Sequence, residues 1–191
     1  MYWRDPLEVI AELLSDPTYA THMTFAPVQH YADDEHTTRL YNELPSGDWI
    51  SLLSKMLLPD GATVLPIIIS SDKTELTSFT GKRSCYPVYI TLGNIAKHVR
   101  RQPSMRAQRL LAYLPTGKVD ESALSVAKAR KLRASLFHHC MRIVCAPLFG
   151  PAQDGVHLAD SHGAVRQCHP ILAAYVADYP EQCQVTCVRY G

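Results

Sequence analysis

Two apolar segments that each end in an aspartate place the strongest constraint on how this chain folds. The first segment, Thr63–Ser71, is rich in β-branched residues and is followed by Asp72. The second covers residues 171–177 and is followed by Asp178. Short, almost uncharged runs of this kind are typical of strands buried inside a sheet. If the two strands are parallel neighbours, both aspartates lie at the same edge of that sheet.

A pair of carboxylates at one sheet edge is a candidate metal site. Carboxylate oxygens are hard ligands that suit Mg²⁺ and Mn²⁺, and two such ions can stabilise the attacking and leaving oxygens of a phosphoryl transfer. Strands also often end in Asp because a turn begins there, so the spacing alone leaves a purely structural role open. We expect Asp72 and Asp178 to approach each other closely enough to share an ion.

Hydrophobic periodicity predicts three helices. Apolar residues recur at helical spacing over residues 7–14, behind an Asp5-Pro6 pair that can cap and open the first turn. A second, short helix is expected over residues 48–58. The longest helix is expected over residues 120–148, and the residues expected to form its packing face are Leu132, Leu136, His139 and Ile143.

The strand pattern completes an α/β fold class. Further strands are predicted over residues 86–92 and 109–114, and a hairpin is predicted from residues 156–159 and 165–167. Pro66 cannot donate a ladder hydrogen bond, so we expect it near the start of its strand or at a sheet edge. The polar, aperiodic residues 18–47 are expected to form an extended arm or loop. The predicted architecture is a mixed sheet with one long helix, preceded by a helical and extended N-terminal arm.

Charge is distributed unevenly along the chain, although the formal net charge is only +1. Residues 1–62 carry ten acidic and three basic side chains, whereas residues 63–191 carry eight acidic and sixteen basic ones. We therefore expect an acidic N-terminal segment over residues 1–62 and a core over residues 63–191.

The basic excess is concentrated in residues 82–142, which hold thirteen Lys or Arg against two acidic residues. Such a segment favours a polyanion as partner, while a solvated surface balanced by the acidic N-terminal segment is the alternative. The basic residues expected to contact the polyanion lie in a linker and along one face of the long helix: Lys97, Arg100, Arg101, Arg106, Lys128, Lys131 and Arg142.

Cysteine usage and the N-terminus indicate an intracellular protein. The 191 residues are enough for a hydrophobic core without disulfides, so the six cysteines are expected to be reduced. No run approaches the about 20 apolar residues that a membrane-spanning helix needs, so a membrane protein is not expected. The first residues lack the basic, apolar and small-residue regions of a secretory signal.

Five longer motifs carry a family resemblance. They are MYWRDP at residues 1–6, ISSDKTEL at 69–76, YPVYITLGNI at 86–95, FHHCMR at 137–142 and PILAAYVADYPEQC at 170–183. In this order, and spread over nearly the whole chain, they resemble the Plavaka transposases, which are fungal, CACTA-related cut-and-paste elements.

The resemblance implies a ribonuclease-H-like catalytic core that uses an Asp, Asp, Glu triad with Mg²⁺ or Mn²⁺ to cut and join DNA. It implies Asp72 as the first carboxylate and Asp178 as the second, with Asp160 as a rival for the second position. The polyanion would then be DNA, bound without sequence preference through residues 82–142, and the protein would be nuclear.

The chain departs from the family pattern in two respects. The family's third carboxylate lies on a helix far downstream, so we expect an incomplete core without autonomous activity, or alternatively an inactive nucleic-acid-binding module. Glu75 and Glu181 are the nearest residues that could replace the missing ligand. Of the family's cysteine cluster only Cys183 and Cys187 remain, and zinc is not expected because a closed site needs four ligands.

Overall fold

The computed structural model describes residues 1–76, 84–117 and 124–189. The α-helices are α1 (Pro6–Ser15), α2 (Asp48–Met56), α3 (Lys97–Arg100), α4 (Val126–Cys145), α5 (Phe149–Asp154) and α6 (Tyr179–Val185). Residues 118–123, where the longest helix was expected to begin, lie outside the described residues. Within the described ranges, no helix is long and apolar enough to cross a membrane.

The strands form one six-stranded sheet and two short ribbons. In chain order they are β1 (Tyr2–Trp3), β2 (His30–Tyr31), β3 (Arg39–Leu40), β4 (Thr63–Ser71), β5 (Thr74–Glu75), β6 (Ser84–Cys85), β7 (Pro87–Leu92), β8 (Arg109–Tyr113), β9 (Val156–Ala159) and β10 (Val165–Val176). The six-stranded sheet has the order β1-β8-β7-β4-β10-β9, while β2 pairs with β3 and β5 pairs with β6. The predicted α/β class, with a mixed sheet and a long helix, is confirmed.

The two apolar segments lie side by side in the sheet. Strand β10 runs parallel to β4, whereas the other pairings of the large sheet are antiparallel. The second arm of the predicted hairpin and the second apolar segment form one continuous strand, with a register shift between Leu172 and Ala174. Strand β4 is central rather than at an edge. Its ladder with β7 begins at Ile67, so the missing N–H of Pro66 falls just outside that ladder.

The N-terminal segment packs onto this sheet. Strand β1 pairs with β8, and helix α1 contacts β7, β8 and β9. The Asp5 side chain caps α1 by accepting a hydrogen bond from the Leu7 N–H at 2.8 Å, as the Asp-Pro pair predicted. Helix α1 contributes Val9, Ile10, Leu13 and Leu14 to the core. The division of the chain at residue 62 stays a prediction, which expression of residues 63–191 alone would test.

Helix α4 packs through a different face from the one its spacing predicted. Leu132 is 44% exposed and Leu136 is 37% exposed, so the predicted packing face is wrong at these positions. The buried residues of α4 are instead Ala129, Phe137, Cys140 and Val144. Both sets recur at helical spacing, and contact with the rest of the fold selects the second, in which the rings of Phe137 and Tyr86 stack at 6.2 Å.

Candidate functional site

The parallel pairing of β4 and β10 brings the two predicted aspartates to one edge of the sheet. The last pair in the ladder joins Ser70 to Val176, and Asp72 and Asp178 each follow that pair by two residues. Both line a single depression of about 420 Å³, together with Ser70, Ser71, Tyr89, Val176 and Ala177. The two aspartates therefore line one depression, while their ability to share an ion and their catalytic and metal-binding roles stay predictions.

Local hydrogen bonds orient both carboxylates. Asp178 is the N-cap of α6, and its Oδ1 accepts the Glu181 N–H at 2.9 Å. The Asp72 Oδ2 accepts the Thr74 hydroxyl at 3.2 Å. Both aspartates are exposed. Each therefore lines the depression with an exposed carboxylate while its side chain is restrained by one neighbour.

This donor set fits a hard divalent cation. Mg²⁺ keeps several waters and is commonly held by one or two carboxylates, which is what the depression offers. In the part of the chain that the structure describes, no group of three or more His, Cys, Asp or Glu side chains is arranged to hold a metal. The edge thus supplies a carboxylate pair rather than a complete protein cage.

Neither carboxylate named as a substitute third ligand lines the depression. Glu75 is exposed on the short strand β5. Glu181 is only 8% exposed, and it accepts hydrogen bonds from the hydroxyls of Ser71 and Tyr175. Its side chain is directed into the fold, beneath the edge that carries the two aspartates.

Asp160 lies at the other end of β10 from Asp178. It stands in the turn between β9 and β10, is 2% exposed and accepts the N–H groups of His162 at 2.9 Å and Ala164 at 3.0 Å. Its Oδ2 accepts the Arg166 Nε–H at 2.7 Å. The structure does not place Asp160 beside Asp72, which favours Asp178 over its rival.

The buried Asp160 is expected to make stability depend on acid pH. Burial raises the pKa of this carboxyl, but the hydrogen bonds from Arg166 and the two backbone N–H groups outweigh it and hold the pKa below the ordinary 3.8. A carboxyl with a depressed folded-state pKa stabilises the fold above its unfolded-state pKa and loses that contribution as the pH falls through the folded value. In urea unfolding, the wild type and Asp160→Asn should differ in free energy of unfolding most near neutral pH, and the difference should shrink as the pH falls below the ordinary 3.8. A difference between the two proteins that is independent of pH would contradict this assignment.

Comparison with known proteins agrees with the motifs. The family model for Plavaka transposases matches residues 1–191, the whole chain. The chain belongs to the Plavaka transposase family. No curated protein and no solved structure is significantly similar to it. The family resemblance of the five motifs is therefore confirmed.

In this Plavaka chain, the seven basic residues expected to bind DNA do not form one surface. The linker residues lie between the end of β7 and the start of β8, and because β7 runs antiparallel to β4 this is the sheet end opposite Asp72. Arg100 pairs with Glu43 at 3.6 Å, and the Lys97 Nζ donates to the Asn42 carbonyl at 2.9 Å. Burial lowers the pKa of Arg100, and the Glu43 charge opposes that shift.

A second basic surface forms where α4 meets α6. Lys131 and Arg142 line a groove of about 1050 Å³, and the described residues that line it include no carboxylate. Three further cations line this groove and were not predicted from the sequence: Arg130, Arg133 and Arg189. The helical spacing of the first two could have indicated them, but only the fold brings Arg189 to α4. Lys128 is exposed on α4 outside the groove lining.

Both cysteines of the expected thiolate cluster also line this groove. The His138 Nε2 lies 3.5 Å from the Cys187 Sγ and 3.0 Å from the Gln184 carbonyl oxygen, whereas Cys183 is buried. All six cysteines are free thiols in this structure. The His138 contacts attach α4 to the end of α6, so they help to shape the groove.

Proposed function

We propose that this Plavaka chain forms the metal-binding edge of a ribonuclease-H-like DNA transposase core. The observation that carries the proposal is the depression shared by Asp72 and Asp178 at the carboxyl ends of two parallel strands. The antiparallel run β4, β7, β8, followed after α4 by a strand parallel to β4, supports the fold assignment. Family membership supports DNA as the substrate.

In this proposal the two aspartates hold Mg²⁺ or Mn²⁺ and the surrounding residues orient them. When bound, the metal would stabilise charge on the attacking and leaving oxygens of phosphoryl transfer. The Glu181 N–H holds one oxygen of Asp178, and the Thr74 hydroxyl holds one oxygen of Asp72. These bonds restrict the rotamers of both side chains, so less order has to be imposed when a cation binds.

Mn²⁺ binding tests the carboxylate pair directly. We expect Asp72→Asn and Asp178→Asn each to weaken Mn²⁺ binding by more than about tenfold, because each removes a charged ligand. Loss of a residue that only hydrogen-bonds a ligand typically weakens binding by roughly tenfold or more. Asp60→Asn is the matched control, since Asp60 is exposed in the loop after α2. Electron paramagnetic resonance titration of Mn²⁺ measures the affinity. Equal affinity in all three variants and the wild type would exclude the pair as the site.

We expect the isolated chain not to cleave DNA. In-line phosphoryl transfer requires accurately placed metal ions, and among the described residues the depression is lined by two carboxylates only. Supercoiled plasmid incubated with Mg²⁺ or Mn²⁺ should be nicked no faster by the wild type than by the Asp72→Ala, Asp178→Ala double variant. Metal-dependent nicking that disappears in the double variant would show that another residue completes the site.

We propose nucleic-acid binding as a second function, separable from catalysis. The groove between α4 and α6 supports it, because the part of its lining that the structure describes holds five Lys or Arg side chains and no carboxylate. The groove is joined to the carboxylate edge through α6, whose N-cap residue is Asp178. A DNA substrate also implies that the protein is nuclear, which imaging of a tagged chain would check.

A further inference from the structure

Glu181 is a buried carboxylate. Hydroxyl groups from two neighbouring strands, and from the residue just before a third strand, lie close to it. Its Oε1 accepts hydrogen bonds from the hydroxyl of Ser71, at the end of β4, and from that of Tyr175 on β10 at 3.2 Å. The hydroxyls of Ser71 and Tyr175 also lie 2.6 Å apart. Burial raises the pKa of Tyr86, which directly precedes β7, and this residue lies close enough for the Glu181 charge to raise it further. One side chain of α6 is therefore hydrogen-bonded to both β4 and β10.

The hydroxyl donors satisfy the buried carboxyl group. A buried carboxyl without partners would strongly destabilise the fold, whereas oxygen acceptors that receive several hydroxyl bonds are compensated. Burial and, next, the Glu181 charge both raise the pKa of Tyr86. Burial also raises the pKa of Tyr175, and there the Glu181 charge adds to the shift. Both phenols accordingly stay protonated over the physiological pH range, so Tyr175 remains a donor to Glu181.

The same residue is connected to both members of the aspartate pair. Its backbone N–H donates to the Asp178 carboxylate at 2.9 Å, and its side chain accepts from Ser71, the residue directly before Asp72. We propose that Glu181 is a positioning residue that sets the separation of Asp72 and Asp178, and that it is not itself a metal ligand. This inference rests on the proposed function of the pair. The exposure of both aspartates and the burial of Glu181 support the distinction between ligand and anchor.

The test compares Glu181→Ala, Glu181→Gln and Asp160→Asn in the whole chain. Asp160→Asn is the matched control, because it alters a buried, hydrogen-bonded carboxylate at the opposite end of β10. Glu181→Ala should weaken Mn²⁺ binding by about 10- to 100-fold, as expected for loss of an outer hydrogen-bond partner. Glu181→Gln should largely retain the affinity, because its amide oxygen can still accept the hydroxyl bonds. Asp160→Asn should bind Mn²⁺ as the wild type does when all are measured below their unfolding temperatures.

A second measurement needs no metal. In ¹⁵N-resolved spectra of the metal-free protein, Glu181→Ala should shift or broaden the amide signals of Asp72 and Asp178, while Asp160→Asn leaves them in place. Unchanged signals in Glu181→Ala would overturn the positioning role, even if the wild type bound no Mn²⁺ and the proposed metal site failed. Mn²⁺ affinity as weak in Glu181→Gln as in Glu181→Ala would also overturn it, because that result would make Glu181 a direct ligand.

Discussion

Replacing Lys131, Arg142 and Arg189 together by Ala is expected to weaken binding to duplex DNA about 100-fold at 0.1 M salt. The three cations line the groove between α4 and α6, where an extended polyanion can contact them simultaneously. Each lost phosphate contact also means that fewer counterions are released from the DNA on binding. The slope of log affinity against log salt should therefore become shallower by about 3. Fluorescence anisotropy with a labelled duplex, titrated at several salt concentrations, measures both quantities.

The chain provides a control with the same loss of charge. Lys97→Ala, Arg101→Ala and Arg106→Gly remove three cations from the opposite end of the sheet, and Gly suits the left-handed backbone of Arg106 at φ 52°. This variant should retain most of the affinity and nearly the full salt slope. If both triple variants lost affinity equally, net charge rather than the groove would explain binding. If the affinity did not change with salt concentration, contacts with phosphate groups would not account for the binding.

Phe137→Ala is expected to destabilise the fold by ~3–5 kcal/mol, which is typical of removing a buried aromatic side chain. Phe137 is only 6% exposed and belongs to the core cluster that includes Leu65, Ile67 and Ile90. Its ring stacks on Tyr86, which lies near the buried Glu181, so loss of the ring should also loosen the sheet edge. For a chain of this size the expected fall in melting temperature is roughly 6–20 °C, measured by calorimetry or circular dichroism.

Leu132→Ala distinguishes the two faces of α4. Leu132 is 44% exposed, so replacing it should lower the free energy of unfolding by less than about 1 kcal/mol, as is usual for a partly exposed side chain. The predicted packing face would instead require Leu132→Ala to be the more destabilising of the two changes. Equal melting temperatures of the two variants would contradict the packing described for Phe137.

Secondary structure was predictable wherever one periodicity dominated. The apolar run before Asp72 predicted a strand, and the Asp-Pro pair predicted the start of a helix. The observed β4 and α1 lie at these positions. Residues 18–47 carried less information. They hold the short β2–β3 ribbon and turns, and Tyr19 within them is fully buried, with its hydroxyl donating to the Met105 carbonyl at 2.6 Å. Isolated buried residues in a polar segment produce no periodic signal.

The composition of the candidate site was predictable in part. An apolar strand that ends in a carboxylate delivers it to a sheet edge, and this made Asp72 and Asp178 recognisable before their pairing was known. Glu181 was recognised only as a spare carboxylate. Its buried carboxylate accepts the hydroxyl of Tyr175 and also that of Ser71, which is 110 residues away in the sequence. Sequence spacing does not indicate which distant donors will meet one acceptor.

The sequence by itself determined the family, the α/β class and the two strands that carry the aspartates, because local hydrophobic pattern and motif order contain that information. Only the tertiary structure decided which face of α4 is buried, which cations share a groove and which aspartate accompanies Asp72. The physical reason is that these properties depend on contacts between distant segments. A helix with two apolar stripes can bury either one, and only its contacts decide which. Antiparallel strands place basic segments that are close in sequence at opposite ends of the sheet.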